Sequence, residues 1–257
     1  MENIKEIINY SNMIKSLVRR ELRGKYAKSF LGFLWAFLGP MFQILIYTIV
    51  FKVVFHNTNN TYYLYLMSGM LPWTFFNDSL GQGAGAIIYN SEMIKKIYFP
   101  REVLVISSVN AKLVNMLLSF IVMYAFVIFS GKGISVHIVL LPLVVATEYL
   151  ITLGLSFLVA GVTVYIRDME YIINVILMAW IWGTPVLYEF ANIDPKFQTL
   201  LLLNPMTPII ENFHNIIYYH TFPTSLSLVM PLIEAILIFT IGYFFFSRVK
   251  KNFAEEL

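Results

Sequence analysis

Long apolar runs alternate with short polar breaks along most of this chain. Six such runs can be recognised, at residues 31–51, 62–88, 103–129, 136–166, 171–187 and 225–246. A helix rises about 1.5 Å per residue, so about 20 residues cross a hydrocarbon core roughly 30 Å thick. The pattern therefore predicts an all-α integral membrane protein with six transmembrane helices.

Residues 1–29 have a different periodicity. Apolar side chains recur at steps of three and four from Ile4 to Leu22, and basic residues occupy the other face. This pattern is typical of an amphipathic helix that lies in the lipid headgroup region. A solvated helix of a small cytosolic domain is the alternative, but the closeness of the first apolar run favours the membrane interface. The predicted interface residues are Arg19, Arg20, Arg23, Lys25 and Tyr26.

Residues 188–224 mix apolar and polar residues and contain four prolines. The segment is too long for a simple turn, and apolar pieces such as residues 200–203 would be unfavourable in water. Irregular backbone is tolerated at membrane depth where protein or a water-filled cavity covers it. We therefore expect a pair of short re-entrant helices at the outer mouth. A small outer cap packed on the bundle is the alternative.

The distribution of Lys and Arg predicts the orientation in the membrane. An even number of crossings puts both termini on one side, and the segments on that side hold 14 of the 18 Lys and Arg residues. Basic residues concentrate in cytoplasmic loops. Both termini are therefore predicted to be cytoplasmic, in a multi-pass protein of the inner cell membrane. The organisation is one permease domain over residues 1–257, in which an interfacial helix (1–29), spans one to five (31–187), an outer segment (188–224) and span six (225–247) follow one another.

Composition narrows the possible functions. Only 13% of the residues are charged and 58% are hydrophobic, whereas soluble domains have about 25% charged residues. The chain contains no cysteine, and its four histidines are scattered without metal-ligand spacing. A phosphate-binding loop of the G-x-x-x-x-G-K-[ST] type is missing, so this polypeptide cannot hydrolyse ATP alone. We predict no catalytic residues, no metal, no cofactor bound by this chain and no nucleic-acid partner.

Two groups of residues within the runs are candidates for a transport path. Asp78, Glu148 and Glu234 are carboxylates at predicted membrane depth, where such groups line aqueous paths or form structural pairs. Both possibilities stay open. Aromatic faces stack on sugar rings, which suggests a channel lining for aromatic residues within the runs, although lipid-facing positions fit equally well. The residues predicted to line the channel are Trp35, Trp73, Phe75, Phe76 and Trp180.

The polar break at residues 90–102 combines apolar and basic side chains. Residues 92–97 are predicted to form one or two helical turns that Pro100 stops, because proline fixes φ and donates no backbone hydrogen bond. An apolar knob with a basic rim suits insertion into a groove of another protein; folding back against the bilayer is the alternative. The predicted coupling residues are Met93, Ile94, Lys95, Lys96, Ile97, Tyr98, Phe99, Pro100 and Arg101.

Four motifs, in order along essentially the whole chain, resemble the permease subunit of polysaccharide-exporting ABC transporters, the family of O-antigen, teichoic-acid and capsule exporters. They are Arg20-Glu21-Leu22 with Lys25-Tyr26, Leu31-Gly32 and Trp35 to Pro40; Ser68-Gly69 with Leu71-Pro72-Trp73; Ile97 to Arg101; and Leu203 to Pro208. The resemblance implies six spans per subunit, a homodimer around one channel, a lipid-linked glycan substrate, and two copies of a separate ATPase that binds ATP and Mg. It also implies an outer gate at Asn204, Pro205, Met206 and Pro208.

Other functions would leave different marks on the sequence. An ABC exporter of drugs or lipids is the nearest alternative. An integral membrane transferase would need clustered acids or a His–Asp pair on an aqueous loop, and the short loops contain neither. An ion-coupled carrier would use Asp78 and Glu148 as coupling sites. We therefore expect a permease that exports a lipid-linked polysaccharide, such as an O-antigen or a teichoic-acid-like polymer.

Overall fold

The computed structural model describes residues 2–26, 32–53 and 59–256, and this part of the chain is helical without strands. The predicted start of the first span at residue 31 lies outside the described residues, as do the side chains of Lys25 and Tyr26. The helices are α1 (Glu2–Asn9), α2 (Ser11–Tyr26), α3 (Trp35–Val53), α4 (Tyr62–Gly83), α5 (Ser91–Lys96), α6 (Glu102–Phe129), α7 (Leu141–Tyr165), α8 (Met169–Trp180), α9 (Pro195–Leu201), α10 (Met206–Phe213), α11 (Ser225–Val249) and α12 (Phe253–Glu256).

Three helical stretches are long and apolar enough to cross a membrane. They are Glu102–Phe129, Val136–Tyr165 and Ser225–Asn252, which contain α6, α7 and α11 and match the third, fourth and sixth predicted spans. Leu38–Val53 and Met169–Gly183 are apolar but shorter. The structure thus confirms an all-α protein with several membrane-length apolar helices, and the count of six spans stays a prediction.

Helix α4 lies at the centre of the bundle. It packs against α3, α6, α7, α8 and α10, and 17 of its 22 residues are buried. Its length of 22 residues spans about 33 Å at the usual rise. It is not one of the three stretches above, and it carries the polar residues Asn77, Asp78 and Gln82.

Helices α7 and α11 make the most extensive helix pair in the fold. Their backbones meet where Gly154 faces Gly242. A Cβ atom at Gly154 would lie 2.6 Å from the Cα of Phe239, and one at Gly242 would overlap the carbonyl of Gly154. Small residues at helix crossings in membranes permit such close approach, which supplies van der Waals contact where lipid offers no hydrophobic driving force.

The amphipathic helix α2 packs along the first turns of α6. Leu17 is buried, and Met13 and Ile14 pack partly against the core. Glu21 Oε1 accepts a hydrogen bond from Lys112 Nζ at 2.5 Å, so the lysine predicted inside span three has a carboxylate partner. Helices α1 and α2 are separated by a turn at Tyr10, and Ile8 is exposed. The placement of the apolar stripe from Ile4 to Leu22 in the membrane interface stays a prediction.

Candidate functional site

The loop at residues 90–102 contains the predicted short helix. Helix α5 spans Ser91–Lys96, and the backbone becomes extended at Ile97, three residues before Pro100. The Ile97 N–H donates to the Met93 carbonyl at 3.0 Å and closes the last turn. Lys96 and Glu92 form an ion pair of 3.0 Å on the exposed side of this helix.

The apolar side chains of this loop divide between core and surface. Phe99 is only 5% exposed, and Met93 and Ile94 pack partly against the core. Ile97 is 59% exposed and Tyr98 is 83% exposed. The prediction of an exposed apolar knob formed by Met93, Ile94, Ile97 and Phe99 is therefore corrected. Phe99 is buried in the core, and Met93 and Ile94 pack partly against it. The exposed apolar surface is the Ile97–Tyr98 pair.

The end of this loop is tied to the C-terminal end of α11. The Arg101 guanidinium donates to the Lys250 carbonyl, and Lys250 Nζ donates to Glu102 Oε1 at 2.5 Å. Glu102 is completely buried, and Phe253 is also buried, with the Arg101 guanidinium 6.0 Å from its ring centre. Sequence reasoning missed Glu102, Lys250 and Phe253, because no motif signals a contact between segments so far apart in the chain.

A polar cavity of about 640 Å³ lies between α2, α4, α6 and α8, at the end of the bundle that also carries α5. Arg20 donates to Asn90 Oδ1 at 2.6 Å across this cavity. The Tyr89 hydroxyl donates to Glu170, and this hydrogen bond, with some burial, raises the pKa of Tyr89 to about 12. The polar residues that line the cavity include Arg20, Glu21, Gln82, Asn90, Ser107, Lys112, Glu170 and Asn174. All three of Arg19, Arg20 and Arg23 are exposed; Arg20 lines this cavity, whereas Arg19 and Arg23 line a second one of about 610 Å³ between α2 and α6.

Helix α4 leaves few side chains uncovered beyond its first turn. The residues that are not buried there are Thr74, Asn77, Asp78 and Gln82, which we call the polar strip. The Thr74 hydroxyl donates to the Met70 carbonyl at 2.7 Å, and the Asn77 amide lies 3.4 Å from Asp78 Oδ1. An uncovered face composed of polar groups on a membrane-length helix is typical of a helix that faces water or protein polar groups.

The aromatic residues predicted to line a channel do not share one environment. Trp73, Phe75 and Phe76 lie in the packed core with at most 3% exposed, so none of them faces open space in this structure. Trp35 is 46% exposed, and Trp180 is half-buried with its ring edge-on to Phe76 at 5.3 Å. Aromatic composition could not separate these environments, because core, lipid and channel all accept aromatic rings.

The other predicted carboxylates sit on different helices. Glu148 in α7 is completely buried, and neither of its oxygens has a hydrogen-bond partner among the described residues. Glu234 in α11 is half-buried. The described residues contain no group of three or more His, Asp or Glu side chains placed to hold a metal ion.

The side chain of Asn204 makes four hydrogen bonds in the outer segment. Its Oδ1 accepts from Trp180 Nε1 at 2.9 Å and from the Met206 N–H at 3.0 Å. Its Nδ2 donates to the Gly183 carbonyl and to Thr184 Oγ1, both at 2.8 Å. One side chain thus fastens the end of α8 to the turn before α10. The structure brings a predicted gate residue and a predicted lining residue into direct contact.

The remaining predicted gate residues lie next to Asn204 in the chain. Met206 is buried, and Pro205 and Pro208 are half-buried. The outer segment contains two short helices, α9 and α10, followed by a π-helical turn at His214–Tyr219. Whether α9 and α10 enter the membrane from outside stays a prediction.

A second set of polar contacts joins α4 to the outer segment. The imidazole of His214 is completely buried and stacks on Tyr65 with ring centres 3.9 Å apart. Its Nδ1 lies 2.8 Å from Ser68 Oγ, and its Nε2 lies 3.1 Å from the Pro185 carbonyl. Because a proline carbonyl only accepts, Nε2 carries the hydrogen in this pair. His214 therefore lies in the core, where it links α4 to the outer segment.

Comparisons with known proteins identify the family. The family described as ABC-2 type transporter matches residues 12–218. The O-antigen export system permease protein RfbA of Myxococcus xanthus is 35% identical, over 99% of this chain and 98% of the relative. A protein of the same description from Klebsiella pneumoniae is 26% identical over 96% and 95%. The polysialic acid transport protein KpsM of Escherichia coli is 25% identical over 77% and 78%. The chain belongs to the ABC-2 type transporter family and is a membrane permease subunit of that family.

Proposed function

We propose that this chain is the channel-forming permease subunit of an ABC exporter that moves a lipid-linked polysaccharide across the cytoplasmic membrane. Two copies enclose one channel, and two copies of a separate ATPase supply the energy with ATP and Mg. The relatives are named for O-antigen export and polysialic acid transport, and the first of these matches the chain over nearly its whole length. A glycan is therefore the substrate class, and both termini are cytoplasmic.

The observation that carries the proposal is the Ile97–Tyr98 pair. Two large apolar side chains stand out from a loop that is otherwise anchored in the core by Phe99 and tied to Lys250 by Arg101. Buried aromatic anchors in partner pockets are common in protein interfaces. In this proposal the pair inserts into a groove of the ATPase, with Lys95 and Lys96 at the rim.

The anchoring suggests how ATPase closure reaches the channel. A push on the loop displaces Arg101 and Glu102, and Glu102 begins α6. Because Lys250 holds both residues, the same push moves the inner end of α11. Helix α11 in turn is locked to α7 at the Gly154–Gly242 crossing. A small displacement can therefore move three long helices together.

At the outer end, Asn204 supports a gate. Its four hydrogen bonds connect α8 to α10, so rotation of α8 would carry the outer segment with it. At the inner end, α2 lies in the headgroup region and borders the polar cavity, which is where a lipid-linked substrate would arrive. The polar strip of α4 continues from that cavity through Gln82.

The test separates ATPase coupling from folding. Ile97→Asp with Tyr98→Asp should leave insertion and yield unchanged, because both side chains are exposed, and should reduce glycan export at least about tenfold. Copurification of the ATPase should fall in parallel. Glu92→Gln is the control on the same loop and should have a small effect, because its side chain is exposed and lies outside the proposed contact. Normal export by the double variant with wild-type recovery of ATPase would overturn the coupling assignment.

A further inference from the structure

The polar strip of α4 contains one carboxylate, that of Asp78. Asp78 is half-buried, and among the described residues it takes part in no ion pair. We propose that the polar strip faces the transport path and that Asp78 makes this path favour uncharged glycans over polyanionic ones. The proposal rests on the proposed export function and names the class of glycan.

The geometry of the strip fits a path along the helix. Thr74, Asp78 and Gln82 follow one another at intervals of four residues, so they stack on one face of α4. Gln82 follows Thr74 by eight residues, so the strip is about 12 Å long at the usual helical rise. Asn77 lies beside Asp78 and widens the face. An ionised side chain facing hydrocarbon at this depth would be costly, so this face is expected to contact water or a polar ligand.

The strip leads into the polar cavity. Gln82 lines that cavity together with Asn174 of α8, whose side chain also approaches α4 at Gly81. A volume of about 640 Å³ falls within the range of roughly 300–1,000 Å³ that is usual for ligand sites. Gln82 thus joins the polar strip to the cavity, and Asp78 lies one turn further along α4.

Asp78 differs from the carboxylates of the cavity. Glu21 is paired with Lys112, and Glu170 accepts a hydrogen bond from Tyr89. Among the described residues, the Asp78 side chain has one polar contact, with the Asn77 amide at 3.4 Å. A lone charge beside a low-dielectric wall projects its field into the adjacent water. This field repels each carboxylate or phosphate of a polyanion.

The same strip suits an uncharged glycan. Thr, Asn and Gln side chains offer both donors and acceptors, and an aspartate accepts several hydrogen bonds from hydroxyl groups. Sugar hydroxyls can exchange among these partners as the chain advances. Hydrogen bonds of this kind hold a glycan loosely, which allows movement instead of tight binding.

The first experiment needs no glycan. The chain contains no cysteine, so Thr74→Cys creates a single thiol one turn from Asp78. The purified protein in lipid nanodiscs is treated with cationic and with anionic methanethiosulfonate reagents. We expect labelling at least about tenfold faster than for Leu237→Cys on α11, which faces lipid, and for Met67→Cys, which is buried.

The charge dependence decides the role of Asp78. The cationic reagent should react at least about tenfold faster than the anionic one, after correction for their rates with a free thiol, because the carboxylate is one helical turn away. Adding Asp78→Asn should abolish most of this preference. Labelling of Thr74→Cys as slow as that of Leu237→Cys, as expected if a second copy or lipid covers the strip, overturns the proposal. An unchanged preference in Asp78→Asn also overturns it.

The second experiment measures export. Cells that lack their own exporter and make either an uncharged mannan or polysialic acid receive this chain with its ATPase, and surface glycan is quantified. The wild type should export mannan at least about tenfold better, and Asp78→Asn should narrow that difference. Equal export of both glycans by the wild type contradicts the proposal. Export of neither would refute the proposed function, while the thiol measurements still decide whether the strip is a wet, negatively charged face.

Discussion

Helices α4 and α11 have similar lengths but opposite relations to their surroundings. In α4, 17 of 22 residues are buried, and the side chains left uncovered beyond the first turn are polar. In α11 only Pro231, Ala235, Gly242 and Phe246 are buried, and the large exposed side chains are apolar. Exposed surface therefore has two chemistries in this protein, and each indicates a different solvent.

The apolar exposure of α11 is suited to hydrocarbon. Its exposed large side chains include Leu226, Val229, Met230, Ile233, Ile236, Leu237, Ile241 and Phe244. Thr240 is also exposed, but its hydroxyl donates to the Ile236 carbonyl at 2.6 Å and so is satisfied within the helix. The four buried residues form one narrow face against α7. Helix α11 is thus packed against the protein from one side, and its other sides are largely apolar.

The difference between α4 and α11 indicates that the hydropathy of a helix depends more on what surrounds it than on whether it lies within the membrane. Helix α11 is long and apolar enough to cross a membrane, whereas α4 is less apolar, although it is long enough and lies at the centre of the bundle. A helix whose neighbours are protein and water needs fewer apolar residues than one whose neighbours are lipid. The three predictions below test this difference.

The largest effect is expected at the narrow face of α11. Gly242→Leu places a side chain where the Gly154 carbonyl already lies, and no rotamer can avoid a backbone atom. Overpacking typically costs about 1–3 kcal/mol and can cost more, and here it must separate two backbones. We expect folded protein, measured by size-exclusion chromatography of a fluorescent fusion, to be nearly lost.

The neighbouring position provides the control. Ile241 points outward and is exposed, so Ile241→Leu should leave the elution profile unchanged. Recovery of Gly242→Leu at the wild-type level would show that α11 is not held to α7 by this crossing.

The sequence anticipated the elements of the fold better than their contacts. Helices α6, α7 and α11 lie where apolar runs predicted them, since lipid imposes a length and a composition that can be counted. The ties between Glu102 and Lys250 and between Trp180 and Asn204 were not predictable, because local patterns carry no information about which distant segments meet. The burial of Trp73, Phe75 and Phe76 was missed for the same reason: neighbours decide it, and periodicity does not.

A carboxylate introduced on the exposed face of α11 should reduce membrane insertion and stability more than one introduced on the polar strip of α4. Leu237→Asp puts a carboxylate on the lipid side of α11, where a central Asp costs about 2.5–3.5 kcal/mol of insertion free energy. Thr74→Asp adds the same group to the polar strip and should cost less than about 1 kcal/mol beyond repulsion from Asp78. Glycosylation-site mapping of membrane insertion, together with thermal unfolding in nanodiscs, measures both. Equal losses for the two variants would contradict the assignment of different solvents.

The smallest change in stability is expected when the polar strip is made apolar. Asn77 is half-buried, and among the described residues its amide makes only the 3.4 Å contact with Asp78. Asn77→Leu should therefore shift the free energy of unfolding by no more than about 0.5 kcal/mol, as for an ordinary surface position. If the strip faced lipid, the same change would instead stabilise the protein, because a Leu near the centre of a span is favourable by about 0.3–0.6 kcal/mol and an exposed amide is unfavourable.

Export should fall several-fold in the Asn77→Leu variant, because an apolar side chain replaces one that can form hydrogen bonds with the glycan along the path. The matched change Ile233→Leu on α11 should alter neither stability nor export. Stabilisation of Asn77→Leu with normal export would place α4 in lipid beside α11 and remove the difference between the two helices.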